Sequence, residues 1–247
     1  MPTTTQGSQE GRLCNQIIRN LFISRLARNN NLLVIYNNTH KYYKNQQRLG
    51  LKLFSGKYDY RTRIILNDTN VLKYIDRNDI QSNFNFNTNV FFQTPECSNF
   101  LYTHIRRDLQ NSIIEANPFK SRYNNNNEVF IHIRLGDVAD VNPGFTYYDK
   151  VLSLIQCQKG YIGTDSPEHP IIQQLQGKYN LEVLKGDEVY TLQFGSTCKY
   201  VILSHGSFSA VTGYLSFFST VYYPEYDVNT IWHGDIFCIP EWNKIAI

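Results

Sequence analysis

Alternation of short apolar runs with helical stretches is the feature of this 247-residue chain that most restricts its fold. In the second half, runs rich in Val and Ile are followed by polar turns, and most of these turns lead into a stretch with helical spacing. The strands are predicted at residues 129–133, 160–165, 181–184 and 199–204, and the helices at residues 147–156, 171–175 and 210–218. Such alternation is typical of a parallel, doubly wound sheet with helices on both faces, so an α/β fold is predicted.

The first half shows the same rhythm more weakly. A turn at Gly11 opens a stretch whose apolar residues have helical spacing, and an apolar run at residues 32–36 is predicted to be a parallel strand. Residues 99–116 have the pattern of an amphipathic helix, in which the charged residues 106–108 are expected to face solvent. No chemistry is assigned to the apolar fragments between these segments.

A change in composition divides the chain. Pro118 and the asparagines at residues 124–127 are typical of a linker, so we expect a domain boundary near residue 122. The N-terminal domain would then cover residues 1–122 and the C-terminal domain residues 123–247.

Residues 127–140 carry the clearest chemical signal. The apolar strand 129–133 is interrupted by His132 and followed by Arg134, and period-2 geometry places these two side chains on one face. They would emerge at the carboxyl end of a strand, where open α/β sheets bind ligands. A guanidinium there requires an anion, and a diphosphate suits its fork geometry. Alternatively, Arg134 pairs with Asp137 or Asp140 as a loop clasp, and His132 is a satisfied core histidine.

Two turns are candidate phosphate sites. The turn that begins at Gly11 opens a helix, and Ser207 and Ser209 follow the strand at residues 199–204 at the start of another. The first amide groups and the positive dipole end of a helix attract anions. The alternatives are an ordinary helix entry at Gly11 and simple helix capping by the two serines.

Composition excludes several classes of function. A net charge of +3 is too small to predict a nucleic-acid partner. The five cysteines are far apart, which argues against a zinc site and a disulfide framework. We see no signal peptide and no apolar run of the ~20 residues that a membrane helix needs. A soluble, intracellular (cytoplasmic) protein of open oligomeric state is expected.

Four motifs, in order, resemble those of the metal-independent fucosyltransferases that use GDP-fucose, most closely the α-1,2 group. They read GRLCNQ, HIRLGD, GTDSPEH and LSHGSFS, and IPEW is similar to the family's C-terminal segment. The resemblance implies a GT-B fold with two Rossmann-like doubly wound halves. The C-terminal half would bind the nucleotide-sugar donor, and the N-terminal half a glycan or glycoprotein acceptor. It implies no metal and no cofactor other than the donor substrate.

The resemblance also implies roles for individual residues. Arg134 would bind the β-phosphate of the donor, with His132 near the nucleotide. Asn15, Asp165, Ser207 and Phe208 would be further donor contacts. Two more candidates come from the residues themselves: Gly11 from its turn at a helix start, and Asp187 if it turns in from its loop to read the base. Candidates for a general base are Glu10, Asp137 and Asp140.

The sequence departs from the family pattern in three places. Leu135 stands where the motif has a second Arg, and both tryptophans of the serine-rich motif are absent. Thr191 stands where an Asp that reads guanine is expected, and the nearest acidic residues are Asp187 and Glu188. The donor is still predicted to be GDP-fucose, because four motifs outweigh one displaced residue. Two alternatives stay open: the same fold with a UDP or dTDP deoxysugar such as rhamnose, or a catalytically inert module that binds sugar nucleotides or glycans.

Overall fold

The computed structural model describes residues 4–225 and 235–247 of the chain. The strands of this part are β1 Thr5–Gln6, β2 Val34–Ile35, β3 Arg63–Leu66, β4 Asn83–Phe86, β5 Glu128–Ile133, β6 Lys159–Thr164, β7 Leu181–Val183, β8 Tyr200–Ile202, β9 Thr220–Pro224 and β10 Asn243–Ile245. The helices are α1 Leu13–Asn30, α2 Lys41–Arg48, α3 Val71–Tyr74, α4 Pro95–His104, α5 Gln110–Ala116, α6 Gly144–Leu154, α7 Pro170–Lys178, α8 Glu188–Gly195 and α9 Gly206–Leu215. Each element predicted in the second half is present, with its ends displaced by a few residues.

The last six strands form one sheet in which every neighbouring pair is parallel, in the order β10-β9-β8-β5-β6-β7. The chain runs outward from β5 to β7, returns to the other side of β5 and continues from β8 to β10. The strand order therefore reverses between β5 and β8. Open α/β sheets have a crevice at this point, outside the carboxyl ends of the strands, and ligands bind there.

Alternate residues of β5 enter two hydrophobic cores, one on each face of the sheet. Phe130 belongs to the larger core, which includes residues of α1, α8 and α9. Val129, Ile131 and Ile133 belong to the smaller core, together with residues of α6 and α7. Successive side chains of a strand point to opposite faces, which explains this division. The sheet thus has helices on both faces, and the predicted α/β class is confirmed.

The first half of the chain packs around α1, the helix predicted after Gly11. In the described residues its strands form two separate parallel ladders, β1 with β2 and β3 with β4. Each strand is two to four residues long, because the apolar runs are short and polar turns follow them. A doubly wound sheet is therefore seen in the C-terminal half, while the wider GT-B arrangement stays a prediction.

The connection between the halves contacts α8 through two side chains at its start, Asn117 and Phe119. Asn117 is 2% exposed, and its Nδ2 donates to the carbonyl of Gln193 at 2.9 Å. The Phe119 ring packs edge-on against Phe194, with 5.3 Å between the ring centroids. The predicted boundary falls in the 3₁₀ turn Lys120–Arg122, in which no residue is buried. The larger core contains residues from both sides of this turn, and the division into two domains stays a prediction.

The helix predicted at residues 99–116 is divided into α4 and α5 by a π-helical turn, Ile105–Leu109. The prediction that residue 106 faces solvent is wrong. The Arg106 guanidinium donates to the carbonyls of Tyr214 at 3.0 Å and Ser216 at 3.2 Å. This contact binds the first half of the chain to the end of α9.

The C-terminal segment closes the larger core. Trp242 is 7% exposed, and its ring lies 5.7 Å from the ring of Tyr214. A Cβ atom at Gly213 would lie 2.5 Å from the Trp242 ring, so only glycine allows this approach to α9. Across residues 4–225 and 235–247, every helix falls short of the length and hydropathy that a membrane-spanning segment requires.

Candidate functional site

A cavity of about 730 Å³ opens at the carboxyl ends of β5, β6 and β8, where the strand order reverses. Its walls come from both halves of the chain. The residues predicted to bind the donor all line it: Gly11, Asn15, His132, Arg134, Asp165, Asp187, Ser207 and Phe208. Asp137 also lines the cavity, whereas the candidate base Glu10 is exposed and lies outside the lining.

His132 is a buried, neutral histidine at the floor of the cavity. Its Nδ1 lies 2.6 Å from the Oγ of Ser209, which also accepts from the Ser204 amide at 3.0 Å. Since Ser209 is fully buried, its hydroxyl hydrogen is satisfied by donating to Nδ1, which leaves the imidazole hydrogen on Nε2. Burial, together with the nearby His205 and Arg134, lowers the pKa of His132 to about 3. The ring is therefore a neutral hydrogen-bond donor.

Arg134 lies beside His132 and is already paired within the chain. Its side chain is 18% exposed and forms ion pairs with Asp137 and Asp165. The loop clasp weighed from the sequence is thus present with Asp137, and Asp165 is its second partner. No hydrogen bond or ion pair to Arg134 is recorded for Asp140 in the described residues, and Asp140 does not line the cavity.

The loop after β5 is shaped by its contact with Asp165. An oxygen of Asp165 accepts from the Leu135 amide at 3.0 Å, so this carboxylate is anchored to the backbone as well as to Arg134. Gly136 has a positive φ of 31°, and a Cβ there would lie 2.6 Å from Asp165. The Leu135 side chain is 2% exposed in the smaller core, a position that suits an apolar residue better than the Arg of the motif that this segment resembles.

The start of α9 forms a second wall of the cavity. Gly206 has a φ of 83°, and the Phe208 ring lies 4.7 Å from the ring of His132. The first amide groups of a helix have no partners within it, and they face an anion favourably. His205, 7% exposed, also lines the cavity, and its Nε2 has no hydrogen-bond partner in the described residues.

The two acidic residues that were candidates for reading the donor base are adjacent at the start of α8, and they differ in their contacts. Asp187 caps the helix by accepting from the Tyr190 amide at 2.8 Å, and it pairs with Arg48 at 2.7 Å. Glu188 lines the cavity with longer contacts, 3.5 Å from the Lys41 ammonium. Thr191, one turn further on, also lines the cavity. Glu188 also accepts from Asn45 Nδ2 at 3.5 Å, so it is the less firmly held of the two carboxylates and the one that can more easily turn toward a ligand.

No protein-family model and no curated protein matches the sequence. The function is therefore inferred from the cavity and its residues. In residues 4–225 and 235–247, no group of three or more His, Cys, Asp or Glu side chains is placed to hold a metal ion.

Sequence reasoning assigned no role to several residues of the cavity: Arg12, Tyr42, Gln93 and His205. Arg12 and His205 lie inside recognised motifs, so attention to every polar residue of those motifs would have found them. Gln93, which donates to Asn15 at 3.0 Å, carries no local signal of this kind. Only the packing of the first half against the sheet brings such residues to the cavity.

The region of the cavity around Arg134 and the start of α9 suits an anionic group, whereas four carboxylates also line the cavity. Arg134, the neutral His132 donor and the amide groups at the start of α9 converge on one region of the cavity. Phe208, Phe91 and Tyr42 supply flat or apolar surface. Cavities with convergent polar groups on a mostly apolar lining are typical of small-molecule sites.

Proposed function

We propose that this chain is an inverting glycosyltransferase with a GT-B-like arrangement. It transfers a deoxyhexose, with fucose favoured, from a nucleoside diphosphate sugar to a hydroxyl of a glycan or glycoprotein. The observation that carries the proposal is the convergence of four separate sequence motifs on one cavity where the strand order of the sheet reverses. Such a position is where doubly wound sheets bind nucleotides.

The catalytic contribution comes from stabilising the leaving diphosphate. As the glycosidic bond breaks, the diphosphate gains negative charge near Arg134 and the start of α9. Donors placed at the position of developing charge stabilise the transition state more than the ground state, which raises the rate. The Nε2–H of His132 adds a neutral donor in a site where a second buried cation would be costly.

Base selectivity is assigned to Glu188. Guanine offers two adjacent N–H groups to a carboxylate, and uracil and thymine do not. Asp187 is occupied by its cap and by Arg48, whereas Glu188 lines the cavity and is 40% exposed. GDP is therefore expected to bind more tightly than UDP, and the Glu188→Gln variant to lose this preference. Glu182→Gln, which removes an exposed carboxylate paired with Lys159 outside the cavity, is the matched control.

A second candidate function is a sugar-nucleotide or glycan-binding module without catalysis. It is favoured by the absence of a free carboxylate base at the cavity among the three candidates: Glu10 and Asp140 lie outside its lining, and Asp137 is paired with Arg134 and Arg12. Donor hydrolysis without acceptor separates the two, because a catalytic site releases the sugar slowly to water and an inert module does not.

A thermal-shift panel of GDP-fucose with UDP and dTDP deoxysugars, followed by assay of sugar transfer, tests the proposal. A ligand at a hundred times its Kd stabilises the folded chain by about 2.7 kcal/mol, so binding raises the melting temperature measurably. The expected result is the largest shift with GDP-fucose. A larger or equal shift with the UDP sugars would select the alternative donor, and no shift with any nucleotide would remove the proposal.

A further inference from the structure

Two guanidinium groups from opposite halves of the chain meet one carboxylate at the edge of the cavity. Asp137 accepts from Arg134 through one oxygen, and from Arg12 through the other at 2.9 Å. Arg134 follows β5, and Arg12 directly precedes α1. All three residues line the cavity. A single side-chain anion therefore bridges the two halves at the proposed diphosphate position.

Two adjacent cations require an anion between them. The charge of Arg12 is one of the causes, after burial, that lower the pKa of Arg134, as expected for neighbouring like charges. Asp137 supplies one negative charge and two acceptor oxygens. A diphosphate carries more charge and more acceptors, and its geometry matches the forks of two arginines at once.

The two carboxylates that pair with Arg134 differ in how firmly they are held. Asp165 is 31% exposed and also accepts from the Leu135 amide, so it orients Arg134 permanently. Asp137 is 58% exposed, and its recorded side-chain partners are the two arginines. Of the two carboxylates, Asp137 is therefore the one that a stronger anion displaces more easily from Arg134.

We propose that Arg12 is a second diphosphate ligand and that Asp137 is an internal anion, which a bound diphosphate displaces from both arginines. This inference rests on the proposed function for the chemistry of its ligand. It gives Asp137 the role of a competitor in place of the general base that the sequence suggested. It also makes ligand binding depend on a residue from each half of the chain.

Calorimetric titration of the full chain with inorganic pyrophosphate tests the inference without any sugar. Asp137→Asn, an isosteric change at an exposed site, is expected to lower the Kd about three- to tenfold, because the competing charge is gone. Arg12→Gln is expected to raise the Kd by a similar factor. The matched controls are Asp79→Asn and Arg77→Gln, which break an exposed pair of 2.6 Å that does not line the cavity.

The two variants test the two parts of the inference separately. Unchanged or weaker binding by Asp137→Asn overturns the competitor role, provided that its urea unfolding curve matches that of the original chain. Unchanged binding by Arg12→Gln overturns the second-ligand role. A chain that binds pyrophosphate in the expected pattern and transfers no sugar keeps this inference and loses the proposed function, so the two failures are distinguishable.

Discussion

The proposed chemistry depends most on Arg134. Its side chain is 18% exposed, and Asp165, which also accepts from the Leu135 amide, holds the guanidinium in place. We expect Arg134→Ala to fold normally and to lower turnover by roughly a hundredfold or more, the usual scale for losing one charge-stabilising donor. Arg134→Lys should also be poor, since an ammonium cannot reproduce the bidentate fork. Steady-state assays of sugar transfer by both variants provide the measurement.

The control for Arg134 is Arg77→Ala, which removes an exposed arginine of another ion pair. Near-normal transfer by purified Arg134→Ala would show that the residue is a loop clasp, the alternative that its sequence context left open. Loss of folding in Arg134→Ala would also indicate a loop clasp, because a clasp stabilises the loop after β5, whereas a ligand contact does not.

Ser209 and Ser207 lie two residues apart on α9 and are expected to respond differently to substitution. Ser209 satisfies both His132 and the Ser204 amide, so Ser209→Ala leaves two buried groups unpaired and should lower the free energy of unfolding by about 1–3 kcal/mol. Ser207 lines the cavity and has no recorded hydrogen bond in the described residues, so Ser207→Ala should preserve stability and weaken pyrophosphate binding. Urea unfolding of the pair provides the comparison, and equal stability losses would contradict this division.

Helix α8 is the element whose position decides which acid can face a ligand. The Asp187 side chain caps α8 by accepting from the Tyr190 amide, so Asp187→Ala should lower the free energy of unfolding by about 0.5–2 kcal/mol. Asp187→Asn retains the cap and loses only the exposed pair with Arg48, so it should be close to the original chain in stability. Its affinity for GDP should also be unchanged, because Glu188 reads the base. A loss of GDP affinity in Asp187→Asn would transfer that role to Asp187.

At the scale of the whole molecule, the histidines that are buried in residues 4–225 and 235–247 make stability depend on pH. Burial lowers the pKa of His104, His132 and His205, and for His132 the value falls from 6.5 to about 3. As the pH falls through about 6.5, the unfolded chain takes up protons that the folded chain does not, so the free energy of unfolding decreases toward low pH. Urea unfolding between about pH 7 and about pH 5 should show this decline. His132→Asn should flatten it, and an unchanged slope in that variant would contradict the assignment.

The local sequence pattern was enough to predict the α/β class, and together with the resemblance of four motifs it predicted most residues of the candidate site. Strand periodicity, glycine turns and helical spacing are properties of neighbouring residues, so they predicted β5, α1 and the parallel C-terminal sheet. They also placed His132 and Arg134 at the carboxyl end of a strand. Elements without such a pattern were missed. Helix α8 is buried along most of its length and has no polar stripe, and the edge strand β10 is mostly polar.

Only the tertiary structure decided which residues far apart in the chain contact each other. Nothing near Arg12 shows that it shares Asp137 with Arg134, and nothing near Ser209 shows that it orients His132. The same holds for Arg106, which is charged and lies in an amphipathic pattern, yet it donates to the end of α9. These pairings depend on how α1, α9 and the sheet are packed together, and that arrangement follows from burial of the shared core.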